Sequence, residues 1–148
     1  MSSEVLISIG CVGLGGAIGA FLRCFCTVMA LKFANVNMWV GILLVNILGC
    51  FLIGLIAVTL SPRDNQPGAF THFLATVFSS EPAETAARAR LLLMTGICGG
   101  FTTFSTAMLD AFVMWRVGKP GWAAFNLFGT PLFSLVAVVL GFALGEML

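Results

Sequence analysis

Four apolar stretches divide this chain, and each is long enough to cross a bilayer. They run from about Val5 to Leu31, Met38 to Leu60, Arg90 to Arg116 and Trp122 to Met147. A helix needs roughly 20 apolar residues to span the hydrocarbon core. Inside that core every peptide N–H and C=O must find its partner within the protein, so stretches of this length fold as helices. Charged residues make up only 9% of the chain against 59% hydrophobic ones, whereas soluble domains carry about 25% charged residues. A surface so poor in polar groups belongs to an integral membrane protein. The expected fold is all-α, with four transmembrane helices in a single domain over 1–148 and a long loop over 61–89. No basic residue precedes Arg23, so the first run lacks the n-region of a signal peptide and is expected to stay in the mature protein.

Several function classes fall away on composition. The net charge of +1 implies no field for nucleic acid or an acidic partner. The five cysteines (Cys11, Cys24, Cys26, Cys50, Cys98) lie in apolar segments without a C-x-x-C pair. The only histidine is His72, so metal-ligand spacing is missing. We read the cysteines as reduced and structural. Gly13-x-Gly15 is followed by Ile18 where a dinucleotide fingerprint requires glycine, and no strand precedes it. With one histidine, no paired carboxylates and no nucleophile–base pair, enzyme chemistry has no constellation to work with.

The third apolar run carries an unusual centre, Thr95-Gly-Ile-Cys-Gly-Gly-Phe-Thr-Thr-Phe-Ser-Thr106. Glycine weakens a helix by roughly 1 kcal/mol relative to alanine. Gly96, Gly99 and Gly100 therefore predict a helix broken at this centre, followed by a ladder of hydroxyls (Thr102, Thr103, Ser105, Thr106). Peptide groups freed inside a membrane are tolerated only against protein or an ion-lined cavity, which points to an ion site. Small residues and hydroxyls also make ordinary helix–helix seams, and Gly15-x-x-x-Gly19 in the first run is such a pattern. Both readings of the centre stand at this level.

Other polar residues sit in the apolar runs. Asn46 is the only strongly polar side chain in the middle of the second, and an unpaired amide there costs several kcal/mol. It must face another helix or a pore. Arg23 either snorkels to the headgroups or lines an electropositive vestibule. Asp110 is expected to face water or a basic group. Thr130 and Ser134, four apart, stack on one face of the fourth helix. Trp39 suits an interfacial anchor.

Lys32, Asn35 and Asn37 mark the first turn, Ser61–Gly68 the second and Val117–Gly121 the third. Ala69–Ser80 is too short to span and is expected at the interface or in a loop. Glu81-Pro82-Ala-Glu84 resembles a helix start. Arg63, Arg88 and Arg90 collect at one side of the membrane, Lys32, Arg116 and Lys119 at the other. The bias in basic residues is close to zero, so the chain is expected to insert both ways. Four helices also enclose a conduit poorly, which favours a homodimer.

Together these stretches resemble the Fluc (CrcB) family of microbial fluoride channels. The resemblance rests on Gly16-Ala-Ile-Gly19-Ala-Phe-Leu-Arg23, on Gly41-Ile-Leu-Leu-Val-Asn46, on the Thr95–Thr106 run and on Gly121-Trp-Ala-Ala124. It implies an antiparallel dual-topology homodimer in the bacterial inner membrane, exporting fluoride through two pores and so lowering its toxicity. It implies a structural sodium ion held at the dimer centre by the carbonyls of Gly99 and Thr102. Asn46 and Phe104 would line the pore, with Ser105, Thr130 and Ser134 at or near its polar track and Arg23 in the vestibule. One departure stands out. The family's second phenylalanine is replaced by Ala107, so either Phe101, Met108 or Phe133 fills that space or the pore coordinates the ion differently.

The chemistry suits fluoride independently. A small, strongly hydrated anion needs compact donors such as amide N–H, hydroxyl and aromatic ring edges. Full positive charges would hold it too tightly for conduction. The rivals are a small multidrug-type proton-coupled antiporter and a non-transporting membrane subunit. The antiporter needs an embedded carboxylate in the first helix, whereas Glu4 lies too near its start and Asp110 is on the third.

Overall fold

The computed structural model describes residues 2–34, 37–61, 69–78 and 81–148. Asn35, Arg63, Ser80 and most of the Ser61–Gly68 turn lie outside them. Helix α1 (Ser3–Ala34) and helix α2 (Met38–Thr59) occupy the first two apolar runs. Two shorter helices follow, α3 (Ala69–Phe78) and α4 (Pro82–Ala89). The chain continues from α4 through a wide π-type stretch, π1 (Arg90–Cys98), into α5 (Gly99–Phe101) and then α6 (Phe104–Arg116). The last run comprises α7 (Pro120–Ala124), a second π-type stretch, π2 (Phe125–Gly129), and α8 (Thr130–Met147).

Among the described residues four helical spans are long and apolar enough to cross a membrane: Ser3–Phe33, Met38–Thr59, Pro82–Arg116 and Pro120–Met147. Large apolar side chains face outward along them, among them Leu14, Phe21, Leu48, Phe112 and Leu135. Water would not tolerate such a surface, and lipid does. The chain is a multi-pass membrane protein.

The 61–89 stretch, read from the sequence as a loop, is helical over α3 and α4. The third span therefore starts at Pro82 rather than Arg90. Pro82 gives up an N–H that a first turn leaves unpaired anyway. Glu84 sits at the positive end of the helix, and Thr85 and Ala89 are buried.

Glycines set the packing, because helices without a water-driven hydrophobic force associate through close contact. Spans one and three run side by side. A Cβ on Gly96 would stand 2.8 Å from the Gly15 Cα, and one on Gly100 would stand 2.6 Å from the Gly16 carbonyl oxygen. Gly19 faces the Ile97 carbonyl and the Phe101 nitrogen in the same way. Spans two and four form the second pair: Gly54 abuts the Val138 carbonyl, Gly141 the Phe51 carbonyl and Gly145 the Val58 side chain. Gly118 (φ 74°) adopts the left-handed conformation that ends α6.

Polar clasps close the two ends. Trp39, Trp122 and Phe125 cluster at one end, with the two indoles 5.3 Å apart, as interfacial anchors do. At the other, Arg90 donates to the Ser61 hydroxyl (2.8 Å) and the Leu60 carbonyl (3.4 Å), and Thr71 also reaches that carbonyl (3.5 Å). Arg88 bonds Glu84 and lies 3.7 Å from Glu4, tying α4 to the start of α1. Replacing Arg90 by methionine is expected to lower the unfolding midpoint by about 3–6 °C, from a loss of roughly 1–2 kcal/mol. Thermal unfolding in detergent measures this, and an unchanged midpoint would show that the Leu60 end does not depend on Arg90.

Candidate functional site

Well inside the third span the backbone leaves helical geometry. Thr102 (φ −85°, ψ 158°) and Thr103 (φ −152°, ψ 119°) are extended. Two β-branched residues, one position beyond the paired glycines, favour that conformation over a helical one. The Thr102 amide still reaches the Cys98 carbonyl at 3.0 Å, and its hydroxyl donates to the same oxygen at 3.0 Å. Thr103 caps the restarting helix: its hydroxyl oxygen accepts from the Thr106 N–H at 3.4 Å.

Asn46 holds the extended step in place. The Thr103 N–H donates to Asn46 Oδ1 (2.8 Å), and Asn46 Nδ2 donates to the Thr103 carbonyl (3.1 Å). A continuing helix would direct the Thr103 N–H to the Gly99 carbonyl. The asparagine, 5% exposed, diverts it. One side chain thus satisfies both peptide groups of Thr103 and frees an oxygen on α5 from its usual donor. The orientation of the amide follows from chemistry, since an N–H must face Oδ1 and a carbonyl must face Nδ2.

A second buried amide lies nearby. Asn126, in π2, is 1% exposed. Its Nδ2 donates to the Ala107 carbonyl (3.1 Å), and its Oδ1 accepts from the Thr130 hydroxyl (2.8 Å). π-type widenings of helices are frequent at functional sites, and this one presents Asn126 to α6. From the sequence Asn126 is only one more polar residue in the fourth run, with no role marked for it. Its partner on α6 is nineteen residues away, and no local pattern points to it.

The structure brings together most of the residues singled out from the sequence. Asn46, Thr102, Phe104, Thr130 and Ser134 line one open groove of about 240 Å³, with Met108 among its other walls. Phe104 is 71% exposed, its ring standing at the groove's lip. Ser105, exposed on the first turn of α6, lies outside that lining and contacts the Thr103 hydroxyl at 3.3 Å. Gly99 is exposed at the start of α5. Arg23 is half-buried on α1, four residues beyond Gly19, and does not line the groove. Of the three residues considered as fillers beside Ala107, the structure puts Met108 in the groove. Phe101 is buried against Gly49, and Phe133 packs on Phe125 with centroids 6.1 Å apart.

The groove offers a neutral, donor-bearing surface. Asn46 Nδ2 carries a second hydrogen beyond the one spent on Thr103, and the Ser134 hydroxyl and the Phe104 ring edge add further positive character. The Thr102 hydroxyl has spent its hydrogen on Cys98. Among the described residues no group of three or more His, Cys, Asp or Glu side chains could hold a metal. The oxygens at this site are those of peptides, hydroxyls and amides.

Comparison with known proteins identifies the family. A family model described as CrcB-like protein, Camphor Resistance (CrcB), matches residues 10–142. A protein of Agrobacterium fabrum named fluoride-specific ion channel FluC is 36% identical over 95% of this chain and 98% of its own length. A protein of the same name from Prosthecochloris aestuarii is 36% identical over 91% of this chain and 90% of its own. Another from Ruminiclostridium cellulolyticum is 34% identical over 92% and 90%. With the match running from α1 through most of α8 and so taking in the whole groove, the chain belongs to the CrcB family.

Proposed function

We propose that this protein is a fluoride-selective channel of the bacterial inner membrane, which lets fluoride leave the cell and so lowers its toxicity. The observation that carries the reading is the groove: a buried amide, a free hydroxyl and an aromatic edge converge beside an extended stretch of backbone within a membrane span. Fluoride sheds its water only against compact donors, and these are compact donors. Among the described residues no full positive charge lines the groove, so an ion that enters is able to leave.

The working unit in this reading is an antiparallel homodimer with two pores. One copy leaves its groove open along Phe104. A second copy would close the groove. A sodium ion fits the same picture. Gly99 is exposed and has lost its helical donor to Asn46, and the extended Thr102 turns its carbonyl off the helix axis. Two such oxygens from each copy would hold a hard cation, which takes oxygen ligands. The ion would stabilise the dimer rather than travel.

Fluoride efflux from proteoliposomes tests the reading. The protein should pass fluoride without moving protons in exchange for a cationic drug. Drug-coupled proton movement would instead favour the antiporter, and no flux at all would favour a non-transporting subunit. Phe104→Ala is expected to slow efflux about tenfold, consistent with a ring contact worth roughly 0.5–1.5 kcal/mol. Rates equal to the unsubstituted protein would remove the ring from the path.

A further inference from the structure

The buried hydrogen bonds fix the direction of one groove hydroxyl. The Ala107 carbonyl can only accept, so the atom of Asn126 that faces it must be Nδ2. Oδ1 then faces Thr130, and a carbonyl oxygen can only accept there too. The Thr130 hydroxyl hydrogen is therefore committed to Asn126 at 2.8 Å. What Thr130 turns to the groove it lines is a lone pair. A bare anion is repelled by that face, whereas a water hydrogen is welcomed by it. The nearby Ser134 differs, because no such amide sits behind it.

Resting on the fluoride-channel reading, we propose that Asn126 is a positioning residue. It holds the Thr130 hydroxyl as an acceptor, so the anion passes this point with a water between itself and Thr130 instead of binding the hydroxyl directly. The path then contains direct donors at Asn46 and Ser134 and one weak, water-mediated step between helices α6 and α8. A weak step lets an ion move on, since a file of uniformly strong donors would trap it.

The test is a double-substitution cycle on the concentration dependence of fluoride flux. Asn126→Leu removes the acceptor behind Thr130 and frees its hydrogen for the ion. Half-saturating fluoride should fall about tenfold, the scale of one hydrogen bond to a charged group, and maximal flux should fall with it. The same Asn126→Leu change made in a Thr130→Val background should shift half-saturation by less than about twofold, because no hydroxyl remains to be freed. A purely structural role for Asn126 would give equal shifts in both backgrounds, and that result overturns the proposal. So does a rise in half-saturation for Asn126→Leu alone. Should leucine prevent assembly, Asn126→Ala removes the same acceptor without added bulk and carries the same expectation. An unsubstituted protein that passes no fluoride takes down the channel reading and this inference together. Flux without the background-dependent shift takes down the inference alone.

Discussion

In the Asn46→Ala protein, fluoride efflux is expected to fall by roughly a hundredfold, and the unfolding midpoint is expected to drop. Two effects add. The substitution removes a donor that faces the groove, and it strands the peptide N–H and C=O of Thr103, which Asn46 satisfies across 57 residues of sequence. Each buried group left without a partner costs about 1–3 kcal/mol. The Thr103 N–H is then free to return to the Gly99 carbonyl, and the extended step is expected to close up into helix. If Gly99 and Thr102 hold sodium as proposed, the stabilisation by sodium expected of the unsubstituted protein should vanish as well, while dimers still form. Initial efflux rates from liposomes and melting curves with and without sodium measure both effects. Unchanged efflux would take Asn46 out of the pore. An unchanged midpoint would show that Thr103 does not need its asparagine.

The other large effect is expected at Gly19. Replacing it by valine should leave little folded protein. A Cβ at this position meets backbone atoms of Ile97, Gly100 and Phe101, all in the third span, and backbone cannot step aside as a flexible side chain does. Even one methylene forced into a packed interior costs about 1–3 kcal/mol, and here a whole branched side chain meets main chain. Gly13 lies six positions earlier in the same glycine-rich helix, and a Cβ there meets nothing within 4 Å. Gly13→Ala should be silent or slightly stabilising, by up to about 1 kcal/mol from helix propensity. Size-exclusion profiles of detergent extracts would separate the two. A monodisperse Gly19→Val protein would mean that spans one and three are not held by this seam.

The apolar runs made the four spans legible because a bilayer leaves peptide groups so few options. They did not reveal that the third span begins at Pro82, since Arg88 and Arg90 interrupt the apolar pattern there. Only the ion pair with Glu84 and the bond to Ser61 show how those arginines are accommodated. For the Thr95–Thr106 run the sequence left a packing seam and an ion site side by side. The structure assigns different glycines to different tasks. Gly96 and Gly100 press against α1, while Gly99 between them faces away and precedes the extended threonines. Spacing alone could not separate them, because the direction in which each glycine points depends on where α1 lies. Asn46 was conspicuous as a lone amide in hydrocarbon, but its partner was not, since long-range pairing leaves no trace in local pattern. The same holds for Asn126.

Ala107 is completely enclosed, at 0% exposure, and its carbonyl is taken by Asn126. Ala107 also borders the groove. A larger side chain at 107 would have to displace its packed neighbours or take space from the groove itself.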